Sequence, residues 1–210
     1  MHPKRGKKAL ESEASLLPRL RNWLVHDCWA SYFPFTQVKH ALCGAHILRE
    51  LQALIDRKSL WAEHMQSFLI DLYKKSQKGT KAIKASKQIQ KRFDRICYGA
   101  DLEEPEPIPR ARGKPKNSKG RNLLNRLINH QEPLLAFAFH QIVPFTNNQA
   151  ERDVRHAKIK TKVATSFRTL QGADDYARIS AVISTFRKQQ INPFQQLRLI
   201  FEGKKVDWAK

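Results

Sequence analysis

Apolar residues recur along most of the chain at the three- and four-residue intervals of a helix, and only two short stretches near the start read as strands. Lys7 to Leu17 reads as a short helix, broken by Pro18, whose ring cannot continue it. A strand-like run from Leu20 to His26 follows, then an aromatic loop (Trp29, Tyr32, Phe33, Phe35) and a second strand from Val38 to Cys43. Gly44 to Arg57 places Ala45, Leu48, Leu51 and Ile55 on one face, as an amphipathic helix does. Two more helices are predicted to form a hairpin. Ser59 to Ser76 turns Trp61, Met65, Phe68, Leu69 and Leu72 inward, and Lys81 to Cys97 turns Ile83, Ser86, Ile89, Phe93 and Ile96 inward. Plain core packing accounts for both stripes. Helix resumes from Asn122 through Leu127, pauses at Glu132-Pro133, and gives way to an apolar run from Leu134 to Phe139. Near the end, Asp174 to Lys188 turns Tyr176, Ile179, Ile183 and Phe186 inward, and Asn192-Pro193 reads as the cap and first position of a last helix ending at Gly203.

Between these lies the stretch from Phe145 to Lys162, F-T-N-N-Q-A-E-R-D-V-R-H-A-K-I-K-T-K. With Thr146 as N-cap, Gln149 falls at the third helical position, and Phe145 and Ala150 form a flanking staple. Helical spacing predicts an inward stripe of Ala150, Val154, Ala157 and Thr161, and an adjacent face of Glu151, Arg155, Lys158 and Lys162. Charge patterning alone favours a solvated helix held by a Glu151–Arg155 pair. The sharper alternative is a metal-binding acid beside phosphate-binding cations.

Composition changes the weight of those alternatives. A formal net charge of +20 and a pI near 10.2 are hard to sustain in a compact protein without a polyanionic partner, and DNA or RNA is the commonest. A membrane surface is the weaker reading: no apolar run approaches the ~20 residues needed to span a bilayer. The basic N-terminus has no signal-peptide core behind it, so the expected location is the cytoplasm. Three cysteines (Cys28, Cys43, Cys97) fit reduced thiols better than a disulfide framework.

Several positions invite chemistry. Asp27 follows the first strand directly, where open α/β sheets place ligands, although a lone strand-end Asp is more often a turn former. His40, Cys43 and His46 have a zinc-like spacing, but no second ligand pair follows; His26 and Cys28 complete a set only through the fold. Core residues at a strand-to-helix junction explain them more simply, with His46 and Glu50 one turn apart near the site. Gly99 to Arg121 joins an acidic, Pro-rich patch to Arg110, Arg112, Lys114, Lys116, Lys119 and Arg121, the composition of a flexible arm against a DNA backbone. Lys162 to Arg168 reads as a connection exposing Ser166 and Arg168.

Four runs together carry a family resemblance: H-D-C-W-A-S-Y at His26, H-A-L-C-G-A-H-I-L-R-E-L at His40, P-F-T-N-N-Q-A-E-R-D-V-R at Pro144, and K-V-A-T-S-F-R with Q-G-A-D-D-Y-A-R-I-S beyond it. In this order they resemble the transposases of the insertion-sequence sixty-six family. The resemblance implies an α/β, ribonuclease H-like catalytic domain, truncated and predominantly helical here, with a helical insertion. The expected division is 1–58 as partial core with the second acid, 59–121 as insertion and basic loop, 122–203 as helices with the third acid, and 204–210 as a tail. It further implies DDE chemistry, in which three carboxylates hold two Mg²⁺ or Mn²⁺ ions ~4 Å apart for in-line attack on a phosphodiester. Asp27 matches the second acid and Glu151 the third. Asn147, Asn148, Arg152, Arg155 and Lys162 belong to the matching helix motif, and Arg152, Arg155, Lys158, Lys162 and Arg168 join Arg110, Arg112, Lys114 and Lys116 as candidate DNA contacts.

Two departures stand out. Thr146 stands where the family more often has Asp, a change that a capping role tolerates. The first acid is also missing, since only Glu11 and Glu13 precede Asp27. The expectation is therefore the C-terminal part of a transposase, working on element ends and target DNA with the missing N-terminal half or an intact transposase as partner. A non-catalytic DNA-binding remnant is the alternative.

Overall fold

Strand pairing begins where β-branched and aromatic residues meet a partner. β1 (Trp23–His26) and β2 (Lys39–Leu42) run parallel, with Trp23 opposite Lys39 and His26 opposite Leu42. Both are shorter than the predicted runs, because only these residues share a ladder. The computed structural model describes residues 6–13, 15–78, 82–108 and 115–206, which fall into two units. Leu16–Asn147 is one; the described residues of Met1–Ser15 and Asn148–Lys210 are the other. The protein is mostly helical.

In the first unit, β2 passes into α2 (Gly44–Ile55) without a loop. The glycine is required there. A Cβ on Gly44 would lie within 2.8 Å of three ring carbons of Phe145, and the Gly44 N–H donates to the Phe145 carbonyl at 2.7 Å. α2 buries Ile47, Leu51 and Leu54, and Ala45, Leu48 and Ile55 sit at its half-buried margin. The predicted stripe has the right period but the wrong phase, because apolar residues occupy more than half of this helix's circumference. The helix closes on Lys58 (φ 65°), with Ser59 N–H returning to the Leu54 carbonyl at 3.2 Å.

α3 (Leu60–Lys78) and α4 (Lys87–Glu103) form the predicted hairpin, with Phe68 and Phe93 ring centroids 6.1 Å apart and Arg92 paired to Asp71 at 2.9 Å. Every predicted inward residue of α3 is buried. Ser86, predicted to face inward on the next helix, is instead its exposed N-cap, accepting from Ile89 N–H at 3.3 Å, so that helix starts later than the periodicity suggests. A long-range contact closes the hairpin's open end: the Glu103 carboxylate accepts the Leu60 and Trp61 N–H groups at 3.1 and 3.0 Å.

The expected loop from Gly99 to Arg121 is shorter than its composition implies. α4 continues through Glu103, and α5 (Lys119–Asn129) starts before Arg121. Arg121 is not part of a solvated arm. It is 4% exposed, donating to the Glu104 carbonyl and the Asp101 carboxylate, both at 2.6 Å. α6 (Gln131–Phe139) buries Leu134 through Ala138 among β2, α3 and α5, which explains its unbroken apolar run.

In the second unit, the predicted helix from Lys7 to Leu17 shrinks to α1 (Lys7–Leu10); Pro18 lies in a separate 3-10 turn, Leu17–Arg19, of the first unit. α7 (Asn148–Val163) buries no residue: Ala157 and Thr161 are half-buried, but Ala150 is exposed and Val154 is 61% exposed, contrary to the predicted stripe. Its contact with α8 (Leu170–Lys188) is polar instead, with Asp153 taking Lys188 at 2.5 Å and Ser184 at 3.3 Å. Thr169 caps α8, which starts at Leu170, four residues before the predicted start. Phe186 is buried as expected, whereas Ile179 is 56% exposed. α9 (Pro193–Phe201) follows the sequence closely: Asn192 accepts from Phe194 N–H at 3.0 Å, and Gly203 (φ 68°) closes it. Among the described residues, no helix is long and apolar enough to cross a membrane.

Candidate active site

Strand alternation decides what the end of β1 presents. His26 points inward and is 3% exposed, so its neighbour Asp27 points out to solvent. One Asp27 oxygen accepts the Trp29 N–H at 3.2 Å, the turn-forming role that its residue type favours. On the adjacent parallel strand, Cys43 leaves β2 as the N-cap of α2, and its thiol accepts the Asn147 N–H at 3.4 Å. The carboxyl ends of both strands and the positive end of α2 thus share one edge, where parallel sheets commonly place ligands.

Behind Asp27 sits a group of histidines that the sequence pattern alone did not connect. His26 Nδ1 accepts the Cys28 N–H at 3.2 Å, which leaves its proton on Nε2, directed at His40 Nδ1 3.2 Å away. Tyr32 and Phe33 enclose His26, each with its ring centroid 5.0 Å away, and Phe33 stacks on His130 at 4.1 Å. Burial pushes the His26 pKa down to about 4; positive charge on His40 and His130 acts the same way, and Asp27 opposes it. His40 is lowered by burial, opposed by a hydrogen bond to the Phe35 backbone carbonyl, and His130 by burial with help from Arg126 and His40. Neutral imidazoles hydrogen-bonded to one another are packing elements. His40 and Cys43, two members of the zinc-like spacing, each have a separate hydrogen-bonding task. Burial raises the Cys28 thiol pKa, opposed by Arg126 and reinforced by Glu50 and Asp27. Glu50 pairs with Arg126 at 2.5 Å. Cys28, Cys43 and Cys97 are all free and buried.

The remaining candidates belong to other elements. In the second unit, Glu151 is half-buried in the first turn of α7, and Arg155, Lys158 and Lys162 follow along the same face, exposed. Arg152, also exposed, donates to Gln149 at 2.9 Å, and Arg168 is exposed between α7 and α8. Lys116 is exposed ahead of α5 in the first unit. Arg110, Arg112 and Lys114 lie outside the described residues. Neighbouring identity signals His26, since it precedes a strand-end acid; Arg126 and His130 reach the site only through α5 and its C-cap.

The first unit thus presents an exposed strand-end carboxylate and the second a helix led by an acid and lined with cations, in a chain of net charge +20. Residues 1–175 match the family described as Transposase IS66 family, and the chain belongs to it. No curated protein and no solved structure matches the chain.

Proposed function

We propose that this chain performs the DNA chemistry of a DDE transposase: metal-dependent phosphodiester cleavage followed by strand transfer, on a ribonuclease H-like scaffold with residues 59–121 inserted. The observation that carries the reading is an Asp27 carboxylate exposed at the end of a parallel strand, in a chain whose family match runs through the Glu151 helix. Asp27 is the second carboxylate and Glu151 the third.

The donor chemistry fits Mg²⁺ or Mn²⁺, which are hard ions served by oxygen ligands. Asp27 offers a solvent-facing carboxylate whose orientation is held by the Trp29 N–H. When bound, such ions polarise the scissile phosphate and lower the pKa of the attacking hydroxyl. The rest is the work of side chains. Arg152, Arg155, Lys158 and Lys162 on α7, with Arg168, Lys116, Arg110, Arg112 and Lys114, hold phosphates and fix the register of the DNA. Asp27 and Glu151 orient the reacting centre, where a small displacement costs rate steeply.

The family chemistry also needs a first acid, which neither Asp27 nor Glu151 supplies. Glu11 is tied to Lys7 at 3.6 Å at the end of α1, and Glu13 lies two residues on. On this reading a partner, an upstream segment or an intact transposase, completes the acid set in the active form. A second reading, a non-catalytic DNA-binding remnant, is favoured by the high charge beside an incomplete set of acids.

DNA binding titrated against salt, with Asp27→Asn and Glu151→Gln alongside, separates the two. In both, affinity falls steeply with salt. For the transposase, Mn²⁺ strengthens wild-type binding to element-end DNA, and each carboxylate variant abolishes that gain; equal Mn²⁺ dependence in all three proteins leaves only a binder.

A further inference from the structure

We propose that His26 is a positioning residue for the Asp27 carboxylate, a role that rests on the reading of Asp27 as a catalytic acid. The turn after β1 is built from two successive backbone N–H groups taken by the two side chains preceding them. Cys28 N–H goes to His26 Nδ1 and Trp29 N–H to Asp27 Oδ1, each at 3.2 Å. Between them the backbone makes an uncommon move: Cys28 has φ 66°, in the left-handed region that a residue with a Cβ avoids. Something must hold it there. The imidazole is suited to the task because it is itself fixed, 3% exposed, flanked by Tyr32 and Phe33, and tethered through Nε2 to His40. A buried ring thus anchors the exposed acid next to it, through the amide of Cys28. Without the acceptor, Cys28 is free to relax to negative φ, which redirects the Asp27–Trp29 peptides and with them the carboxylate.

The test uses the full chain and two substitutions that differ in one atom's role. His26→Leu removes the acceptor; His26→Asn keeps a side-chain oxygen near the position of Nδ1. Amide hydrogen exchange at Cys28 and Trp29 reports the turn directly. The expected result is exchange about tenfold faster in His26→Leu, the net worth of roughly one hydrogen bond, and near wild type in His26→Asn, with α3 amides unchanged in both. Cys28→Gly is the companion variant: glycine adopts positive φ freely, so His26→Leu in that background should perturb Trp29 exchange much less. If His26→Leu fails to fold alone, the Cys28→Gly background and His26→Asn still decide the matter. Equal exchange in the Leu and Asn variants, or no relief from Cys28→Gly, overturns the proposal. Mn²⁺-induced broadening of the Cys28 and Trp29 amides is read in parallel. Its absence in wild type counts against Asp27 as a metal ligand, while the exchange data alone decide whether His26 sets the turn.

Discussion

Replacing Gly44 by alanine tests the junction that holds the strand edge together. The new methyl carbon would sit within 2.8 Å of three Phe145 ring carbons, far inside van der Waals contact. The ring has little room to yield: it is 9% exposed, stacked on Tyr73 at 4.5 Å and set edge-on to Phe137 at 4.7 Å. Overpacking of this kind costs ~1–3 kcal/mol. The helix-propensity gain of alanine over glycine returns up to ~1 kcal/mol, less at a first helical position. The expected net loss is ~1–2 kcal/mol in urea unfolding followed by circular dichroism. Gly44→Ala combined with Phe145→Leu should cost less than the sum of the two single changes, because the smaller side chain makes room for the methyl. An unchanged or more stable Gly44→Ala protein, or strict additivity in the double variant, would refute the packing argument.

Three other changes probe different contacts. Arg121→Ala removes a buried guanidinium from Asp101 and the Glu104 carbonyl and should cost ~2 kcal/mol, read as a melting temperature several degrees lower; no shift would mean that the tie is idle. Glu103→Ala should cost ~1 kcal/mol by uncapping α3, with the loss visible in amide exchange at Leu60 and Trp61 before the helix centre. In metal-free buffer, stability should fall as pH drops from 6.5 toward about 4, because unfolded His26 takes up a proton that folded His26 resists. That window is worth up to ~3 kcal/mol, His40 and His130 act in the same direction, and a flat urea midpoint between pH 7 and 5 would contradict it.

Local signals carried most of the fold. The α3 stripe and the Asn192-Pro193 cap each depend on neighbours within a few residues, and the structure places them as the sequence implies. Phase was harder than period: in α2, apolar residues surround so much of the helix that only tertiary packing selects Ile47 and Leu54 over Ala45 and Leu48. α7 misled for a different reason, since its contact with α8 is made by Asp153, whose partners Ser184 and Lys188 lie 31 and 35 residues away. Arg121 read as a loop cation because Asp101 is 20 residues upstream. At the candidate site, Asp27 was visible from its place after a strand. The His26–His40 contact was not, because it arises from the register of a parallel pair. The family match over residues 1–175 bears out the resemblance carried by the four motif runs.

The most direct test of the transposase reading is strand cleavage and joining on labelled element-end DNA with Mn²⁺, using wild type and Glu151→Gln, each alone and with the upstream half supplied in trans. Joined product is expected only when the upstream half is present, and none with Glu151→Gln. DNA binding without product in every combination, or product that survives Glu151→Gln, would contradict it.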